Sequence, residues 1–217
     1  MTPLFLDRAD AGRHLAANLM PYKDRHPVVL ALPRGGVAVA HPVAVALDAP
    51  LDLVLVRKIG APFQPELAVG AVAEGEPPEL VLNEEIGEAV SPAWFKEEAD
   101  RQVEELERRR LRYCGARARV AVAGRTAIVI DDGIATGATM RAALRSVRKA
   151  QPARLVLAVP VAPPEVIATL RAEVDEAVCL AAPDLFGAVG RFYLSFPQLD
   201  DAEVVALLND AATRHGP

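Results

Sequence analysis

The chain of 217 residues has little of several residue types, and each shortage excludes a class of protein. Its two cysteines, Cys114 and Cys179, have no metal-binding or redox spacing, which indicates a reducing compartment. It lacks an apolar run of the roughly twenty residues that span a bilayer, and its start lacks the layout of a signal peptide. It also lacks a basic excess, since its net charge is −5, which argues against general nucleic-acid binding. We therefore expect a cytoplasmic protein without a membrane segment or a nucleic-acid partner.

What the chain does contain favours one α/β domain over residues 1–217. Apolar residues make up 52% of the sequence, enough for a sizeable core. Predicted strands alternate with predicted helices, a pattern typical of a parallel, Rossmann-like sheet. The predicted strands are 28–32, 51–56, 79–83, 127–130, 154–159 and 177–180, and the predicted helices are 7–20, 37–47, 91–113, 137–149, 165–172 and 200–209. Residues 91–119 are expected to be a helical insertion, and residues 182–217 a C-terminal tail.

The most informative stretch, Ala127–Thr139, joins a predicted strand to a predicted helix through a short loop. Four apolar residues precede two adjacent carboxylates, Asp131 and Asp132, and small or hydroxyl-bearing residues follow. Such a loop can bind a phosphate, because its N–H groups surround the anion and the helix dipole adds positive charge. It is not a Walker loop, since it lacks the required lysine. The paired carboxylates indicate binding of vicinal hydroxyls, a magnesium ion, or both.

Two further loops offer cations at what should be the same edge of the sheet. Pro33–Gly36 follows the first predicted strand and combines Arg34 with two glycines, which let the backbone approach a ligand closely. Arg57 and Lys58 follow the second predicted strand and precede a loop at 59–65 that contains glycine and proline. Because ligands of parallel sheets bind at the carboxyl ends of the strands, we expect all three loops to face one ligand.

The apolar run, the Asp-Asp pair and the Thr-Gly-x-Thr loop of residues 127–139 resemble the signature of the type I phosphoribosyltransferases. Pro33–Gly36 is similar to the loop that holds pyrophosphate in that family, often with a strained or cis peptide. The resemblance implies a phosphoribosyltransferase-type parallel-sheet core, with residues 182–217 forming a C-terminal hood. It also implies transfer of ribose 5-phosphate from phosphoribosyl pyrophosphate (PRPP) to a small-molecule acceptor, a nitrogen nucleophile with a nucleobase as the leading choice. Pyrophosphate would leave, held by Mg²⁺ as the cofactor.

The same resemblance implies roles for individual residues of this chain. Asp131 and Asp132 would be catalytic, holding the ribose hydroxyls directly or as metal ligands. The 5-phosphate would be held by Ala135, Thr136, Gly137, Ala138 and Thr139. Pyrophosphate would be held by Arg34, Gly35, Arg57 and Lys58. The loop at 59–65 would close over the reacting atoms.

The acceptor would be held by an aromatic residue of the hood, because members of the family stack such a ring on the base. Phe186, Phe192 and Tyr193 are the candidates, and their alternative role is to fill the core beneath the C-terminal helix. Ala135 stands where members that use 6-oxopurines carry a carboxylate, which disfavours a 6-oxopurine.

A general base would therefore come from elsewhere in the chain. Glu66 and Glu74 are the nearest acidic candidates, and the short stretch Ala73–Gly75 loosely resembles a segment of the adenine-using branch. That match favours Glu74 as a catalytic residue, with a solvated loop glutamate as the alternative.

Two other functions stay open at this point. Regulatory members of this fold keep the acidic motif, so the chain could bind PRPP or a nucleotide as a signal with little or no catalysis. The same site could also hydrolyse or phosphorolyse a nucleotide. The helix at 91–113, with its cluster Arg108–Arg110, is expected to be a solvated arm with one packed seam. A contact in a homodimer, or a lid over the site, is the alternative role for this arm.

Overall fold

The computed structural model describes residues 3–83 and 90–215, which contain eight strands and six α-helices. The strands are β1 (Pro27–Ala31), β2 (Leu51–Leu53), β3 (Val56–Ala61), β4 (Gln64–Ala73), β5 (Glu79–Leu82), β6 (Thr126–Ile130), β7 (Arg154–Val161) and β8 (Glu176–Ala181). The helices are α1 (Arg8–Leu19), α2 (Gly35–Leu47), α3 (Pro92–Cys114), α4 (Ala138–Lys149), α5 (Pro164–Arg171) and α6 (Asp201–His215). Among the same residues, no helix is both long enough and apolar enough to cross a bilayer.

Five parallel strands form the central sheet in the order β2-β1-β6-β7-β8. Every residue of β1 and β6 is buried. Val29 and Ile128 pack in one apolar cluster with residues of α1, α2 and α6, whereas Val28 and Ala127 pack in another with α4 and α5. Helices therefore cover both faces of the sheet, which explains the continuous apolar runs of its strands. The predicted parallel-sheet α/β core is confirmed.

The three remaining strands form a second, antiparallel sheet in the order β3-β4-β5. Its first two strands differ from the single strand at 51–56 and the mobile loop at 59–65 that the sequence predicts. Strand β2 instead ends at Leu53, and a new strand, β3, begins at Val56. β3 and β4 form a tight hairpin with a register shift beside Gly60. Ile59 and Val72 are fully buried in the main core cluster. Burial of these two apolar side chains favours paired strands, although the glycine and prolines of this segment favour a loop.

Helix α3 packs against this second sheet and against α6. Ser91 caps it by accepting a hydrogen bond from Trp94 N at 3.2 Å, and Pro92 occupies its first turn. Its buried seam includes Ala99 and Leu106, as the expected packed seam requires, but it also includes Arg110. A buried arginine on a helix needs a charge partner, and Arg110 has two, Asp52 in β2 of the central sheet and Glu74 directly after β4.

The tail after β8 folds back onto the N-terminal segment. Phe5 pairs with Tyr193 in a short parallel bridge, and Leu194 N donates to Phe5 O at 2.9 Å. A single 3-10 turn at Val189–Phe192 precedes this contact, and α6 follows it. The N-terminal segment and the first part of the tail thus meet beside the loop after β6, which Tyr193 contacts.

Candidate active site

The loop after β1 and the loop after β6 are in direct contact. A side-chain carbon added at Gly35 would overlap the Asp132 carboxylate, and one added at Gly36 would lie 2.8 Å from Ile130 O and 3.0 Å from Asp131 Cα. Since β1 and β6 are neighbouring parallel strands, both loops leave the sheet at the same edge. The structure therefore brings the glycine loop and the acidic pair together, and only glycine fits at this contact.

The rest of the acidic loop leads into the N-terminus of α4. Gly137 adopts a left-handed conformation with φ of 81° and is the cap residue of the helix. Ala135, Thr136 and Ala138 are exposed, while Gly137 and Thr139 are partly exposed. An open loop of small residues at the start of a helix leaves its N–H groups and hydroxyls accessible to an anion. The five residues expected to hold the 5-phosphate therefore form one accessible turn.

Arg34 extends from the glycine loop towards α6. Its Nη1 lies 4.0 Å from Asp201 Oδ1, and its side chain is 39% exposed. Asp201 also accepts hydrogen bonds from Arg112 at 2.8 Å and from the Tyr113 hydroxyl at 2.7 Å, both on α3. The peptide bond between Pro33 and Arg34 is cis, as the family likeness implies. Arg34 thus borders the site, with a guanidinium that is accessible to an anion.

Arg57 and Lys58 lie within β3 instead of in a loop at the sheet edge. Arg57 Nε donates to Gln102 Oε1 at 2.5 Å, and Arg57 Nη1 lies 3.5 Å from Glu105 Oε1, so its contacts are with α3. Lys58 is exposed. In this structure the hairpin directs Arg57 to α3 and leaves Lys58 exposed. That corrects their expected position.

The two carboxylates of the acidic pair are held close together. Asp132 N donates to Asp131 Oδ1 at 2.8 Å. Burial raises the pKa of Asp131 well above its usual value, and the charge of Asp132 raises it further. Burial also raises the pKa of Asp132, although a hydrogen bond from Arg8 opposes that shift. A bound cation, or hydroxyl groups that donate to these carboxylates, would favour the ionised form of both aspartates.

Arg8, the first residue of α1, also belongs to this site, although its sequence context did not single it out. Its Nε donates to Asp132 Oδ2 at 2.8 Å, and its Nη1 donates to Pro197 O at 2.7 Å. The sequence did contain a signal for its burial, because Arg8 lies on the same face of the helix as the apolar residues Ala11, Leu15 and Leu19. An arginine on an apolar stripe needs a partner, but the sequence does not show which one.

The three aromatic residues expected to stack on a base are buried. Phe186, Phe192 and Tyr193 are 9%, 1% and 4% exposed, and they form a cluster with Phe5. Phe186 packs on Phe192 with ring centroids 5.1 Å apart. They fill the core under the hood, as their alternative role requires, and stacking on a base stays a prediction. Tyr193 still serves the site, because its hydroxyl donates to Asp132 O at 2.5 Å.

Glu74 lies in a buried ion cluster instead of beside the acidic pair. Its Oε1 accepts hydrogen bonds from Leu55 N at 2.9 Å and from Arg110 at 3.1 Å, and its Oε2 lies 3.2 Å from Arg119. Arg110 also binds both oxygens of Asp52, at 2.8 and 2.9 Å. Burial raises the pKa of Glu74, and the two arginines oppose the shift.

These contacts satisfy the Glu74 carboxylate inside the protein, and they give no support to its expected role as a general base. The cluster borders a cavity of about 460 Å³ whose lining contains none of residues 33–36 or 131–139. The side chain of Glu66, the other candidate base, lies outside the described residues.

The protein ligands that this site could offer to Mg²⁺ are the carboxylates of Asp131 and Asp132. Across residues 3–83 and 90–215, no group of three or more His, Cys, Asp or Glu side chains could hold a metal ion. Mg²⁺ commonly takes one or two carboxylates and completes its shell with substrate phosphates and water. Asp131 and Asp132 fit that pattern by their type and by the raised pKa that a cation would reverse.

Comparisons with known proteins identify relatives of almost the whole chain. A family model described as the phosphoribosyl transferase domain matches residues 5–196. Rv0571c of Mycobacterium tuberculosis strain H37Rv, provisionally named a phosphoribosyl transferase, is 48% identical over 210 residues, which cover 96% of this chain and 47% of that protein. MT0597 from the CDC 1551 strain matches equally well. The chain therefore spans about half the length of these curated relatives.

A solved structure covers nearly the whole chain. The crystal structure of TT1426 from Thermus thermophilus has a TM-score of 0.82 and 47% sequence identity. The likeness covers 96% of this chain and 99% of that one. Both the central sheet and the segments around it are therefore shared with a protein known from a crystal.

Proposed function

Since the chain belongs to the phosphoribosyl transferase domain family, we propose that it transfers ribose 5-phosphate from PRPP to a nitrogen nucleophile and releases pyrophosphate. The observation that carries the proposal is the contact of Gly35 and Gly36 with Asp132 and Asp131. That contact places a glycine loop able to approach pyrophosphate against two carboxylates able to hold ribose hydroxyls. The acceptor is proposed to be a nucleobase on the strength of family membership alone.

Each part of PRPP then has a partner in this chain. The 5-phosphate binds at residues 135–139, where exposed loop groups and the start of α4 favour an anion. The ribose hydroxyls bind to Asp131 and Asp132. The pyrophosphate lies against the glycine loop, within reach of Arg34, whose guanidinium offers a fork of donors.

The reaction breaks the bond between C1 of the ribose and the pyrophosphate oxygen and forms a bond from C1 to the acceptor nitrogen. Positive charge develops on the sugar ring in the transition state, and ionised carboxylates that hold the ribose hydroxyls would stabilise that charge. Mg²⁺, the proposed cofactor, would be held by Asp131 and Asp132 with the substrate and would neutralise charge on the leaving pyrophosphate. The acceptor proton leaves by a route that does not use Glu74, whose oxygens are already bonded.

The proposal is tested by turnover. The full chain is incubated with PRPP, Mg²⁺ and each member of a panel of purine and pyrimidine bases, and pyrophosphate release is followed. A variant with both Asp131→Asn and Asp132→Asn is the matched control, because it keeps the shape of the site and removes its charge. We expect base-dependent release from the unchanged protein and none from the control. PRPP binding without release across the panel would refute transfer and would favour a regulatory role.

A further inference from the structure

We propose, on the premise of the proposed function, that Arg8 is a positioning residue for PRPP binding. It fixes the carboxylate of Asp132 and fastens the C-terminal segment to that carboxylate. The family likeness gave Arg8 no role, and it lies in a helix that precedes the central sheet.

Three contacts fix the guanidinium of Arg8. Nε donates to Asp132 Oδ2 at 2.8 Å, Nη1 donates to Pro197 O at 2.7 Å, and Cζ lies 3.7 Å from the centre of the Phe196 ring. These contacts use the planar fork and the flat face of the guanidinium at once, a combination that lysine cannot reproduce. The side chain is only 10% exposed, so its charge depends on the carboxylate for compensation.

Asp132 is fixed at two points by two distant parts of the chain. Arg8, near the N-terminus, holds its carboxylate, and the Tyr193 hydroxyl, in the hood, holds its backbone oxygen at 2.5 Å. Tyr193 and Phe196 pack with ring centroids 4.9 Å apart, so the two anchors also touch through the aromatic rings. One carboxylate oxygen is thus kept in one orientation before any ligand arrives, which lowers the entropy lost on binding.

The position of Arg8 also explains why its charge matters to the ligand. A carbon added at Gly35 would lie 3.1 Å from Arg8 Nε, so the cation borders the loop proposed to take pyrophosphate. Arg8 is therefore close both to the acid proposed to hold the hydroxyls and to the loop proposed to hold pyrophosphate. Removing it leaves Asp132, whose side chain is 15% exposed, without its cation and frees Pro197 from the site.

The experiment measures the dissociation constant of PRPP by calorimetry in the presence of Mg²⁺. Arg8→Gln should weaken binding at least tenfold, which equals about 1.4 kcal/mol. Arg8→Lys keeps the positive charge but lacks the planar guanidinium. Its affinity for PRPP should lie between that of the unchanged protein and that of Arg8→Gln. The matched control is Arg13→Gln on the same helix, whose side chain is 60% exposed and pairs with Asp10 at 3.1 Å. It should bind PRPP as the unchanged protein does.

A double-mutant cycle with Asp132→Asn separates positioning from general damage. If Arg8 acts through Asp132, the variant carrying both changes should bind no more weakly than Asp132→Asn alone. If Arg8→Gln fails to fold in a thermal scan, the same cycle is run with Arg8→Lys. Additive losses in the cycle, or affinity within twofold of the unchanged protein for the Arg8 variant, would overturn the inference and leave the proposed function intact. Failure of the unchanged protein to bind PRPP would overturn both.

Discussion

The buried ion cluster should make Arg110 one of the most costly residues to replace. The side chains of Arg110, Asp52 and Glu74 are 11%, 9% and 9% exposed, so Arg110→Met leaves two buried carboxylates without this cation. Breaking a buried pair costs about 3–5 kcal/mol. The lower end applies here, because Arg119 still reaches Glu74 and Val120 N still donates to Asp52. A loss of about 3 kcal/mol corresponds to a melting temperature roughly 6–12 °C lower for a domain of this size.

Thermal unfolding followed by circular dichroism measures this loss. The matched control is Arg101→Met, also in α3, whose side chain is 58% exposed and pairs with Glu97 and Glu98. Exposed pairs of this kind contribute about 0–1 kcal/mol, and arginine and methionine have similar helix propensities. The deficit of Arg110→Met should shrink as the pH is lowered, since burial already raises the pKa of Glu74 and a protonated carboxyl needs no cation. Equal melting temperatures for the two variants would refute the assigned role of the cluster.

Three further predictions concern the proposed ligand site. Replacing both Asp131 and Asp132 by Asn should weaken PRPP binding at least tenfold, about 1.4 kcal/mol, in calorimetry with Mg²⁺; unchanged affinity would contradict the site assignment. Arg34→Ala should weaken binding of pyrophosphate and spare ribose 5-phosphate, which the Thr136–Thr139 loop holds, whereas equal losses in calorimetry would contradict that division. Finally, Asp131→Asn alone should stabilise the ligand-free protein near neutral pH. Because the pKa of Asp131 is raised on folding, the folded protein binds more protons than the unfolded chain above about pH 4, so stability falls as the pH rises. The Asn variant lacks that fall, which melting curves across pH would show, and exposed Asp184→Asn, the control, should keep it.

Much of the central sheet could be predicted from the sequence, because strands such as β6 are continuous apolar runs bounded by glycine, proline or acidic residues. The acidic loop and the glycine loop were predicted for the same reason, since each is a local pattern after a buried strand. The parallel arrangement predicts that both loops lie at one edge of the sheet. They are in contact because β1 and β6 are neighbouring strands. Local sequence patterns were therefore sufficient to predict the buried strands and the loops that directly follow them.

The rest depended on contacts between distant parts of the chain. Arg8 and Asp132 are 124 positions apart, and no local pattern connects them. The hairpin of β3 and β4 contains glycine and proline, which predict a loop, but burial of Ile59 decides the pairing. A three-residue likeness favours Glu74 as a general base, whereas its partner Arg110 comes from α3, 36 positions further along the chain. Burial and charge pairing across the fold decided each of these cases.

The absence of room for side chains at Gly35 and Gly36 has a consequence for directed evolution of acceptor choice. A side chain at Gly35 would overlap the Asp132 carboxylate, and one at Gly36 would press on the backbone of β6. Libraries that randomise either position would consist mostly of inactive members, whatever the desired acceptor. Diversity is better placed in exposed hood positions such as Leu185 and Leu194, which are 82% and 70% exposed and can vary without moving the two loops.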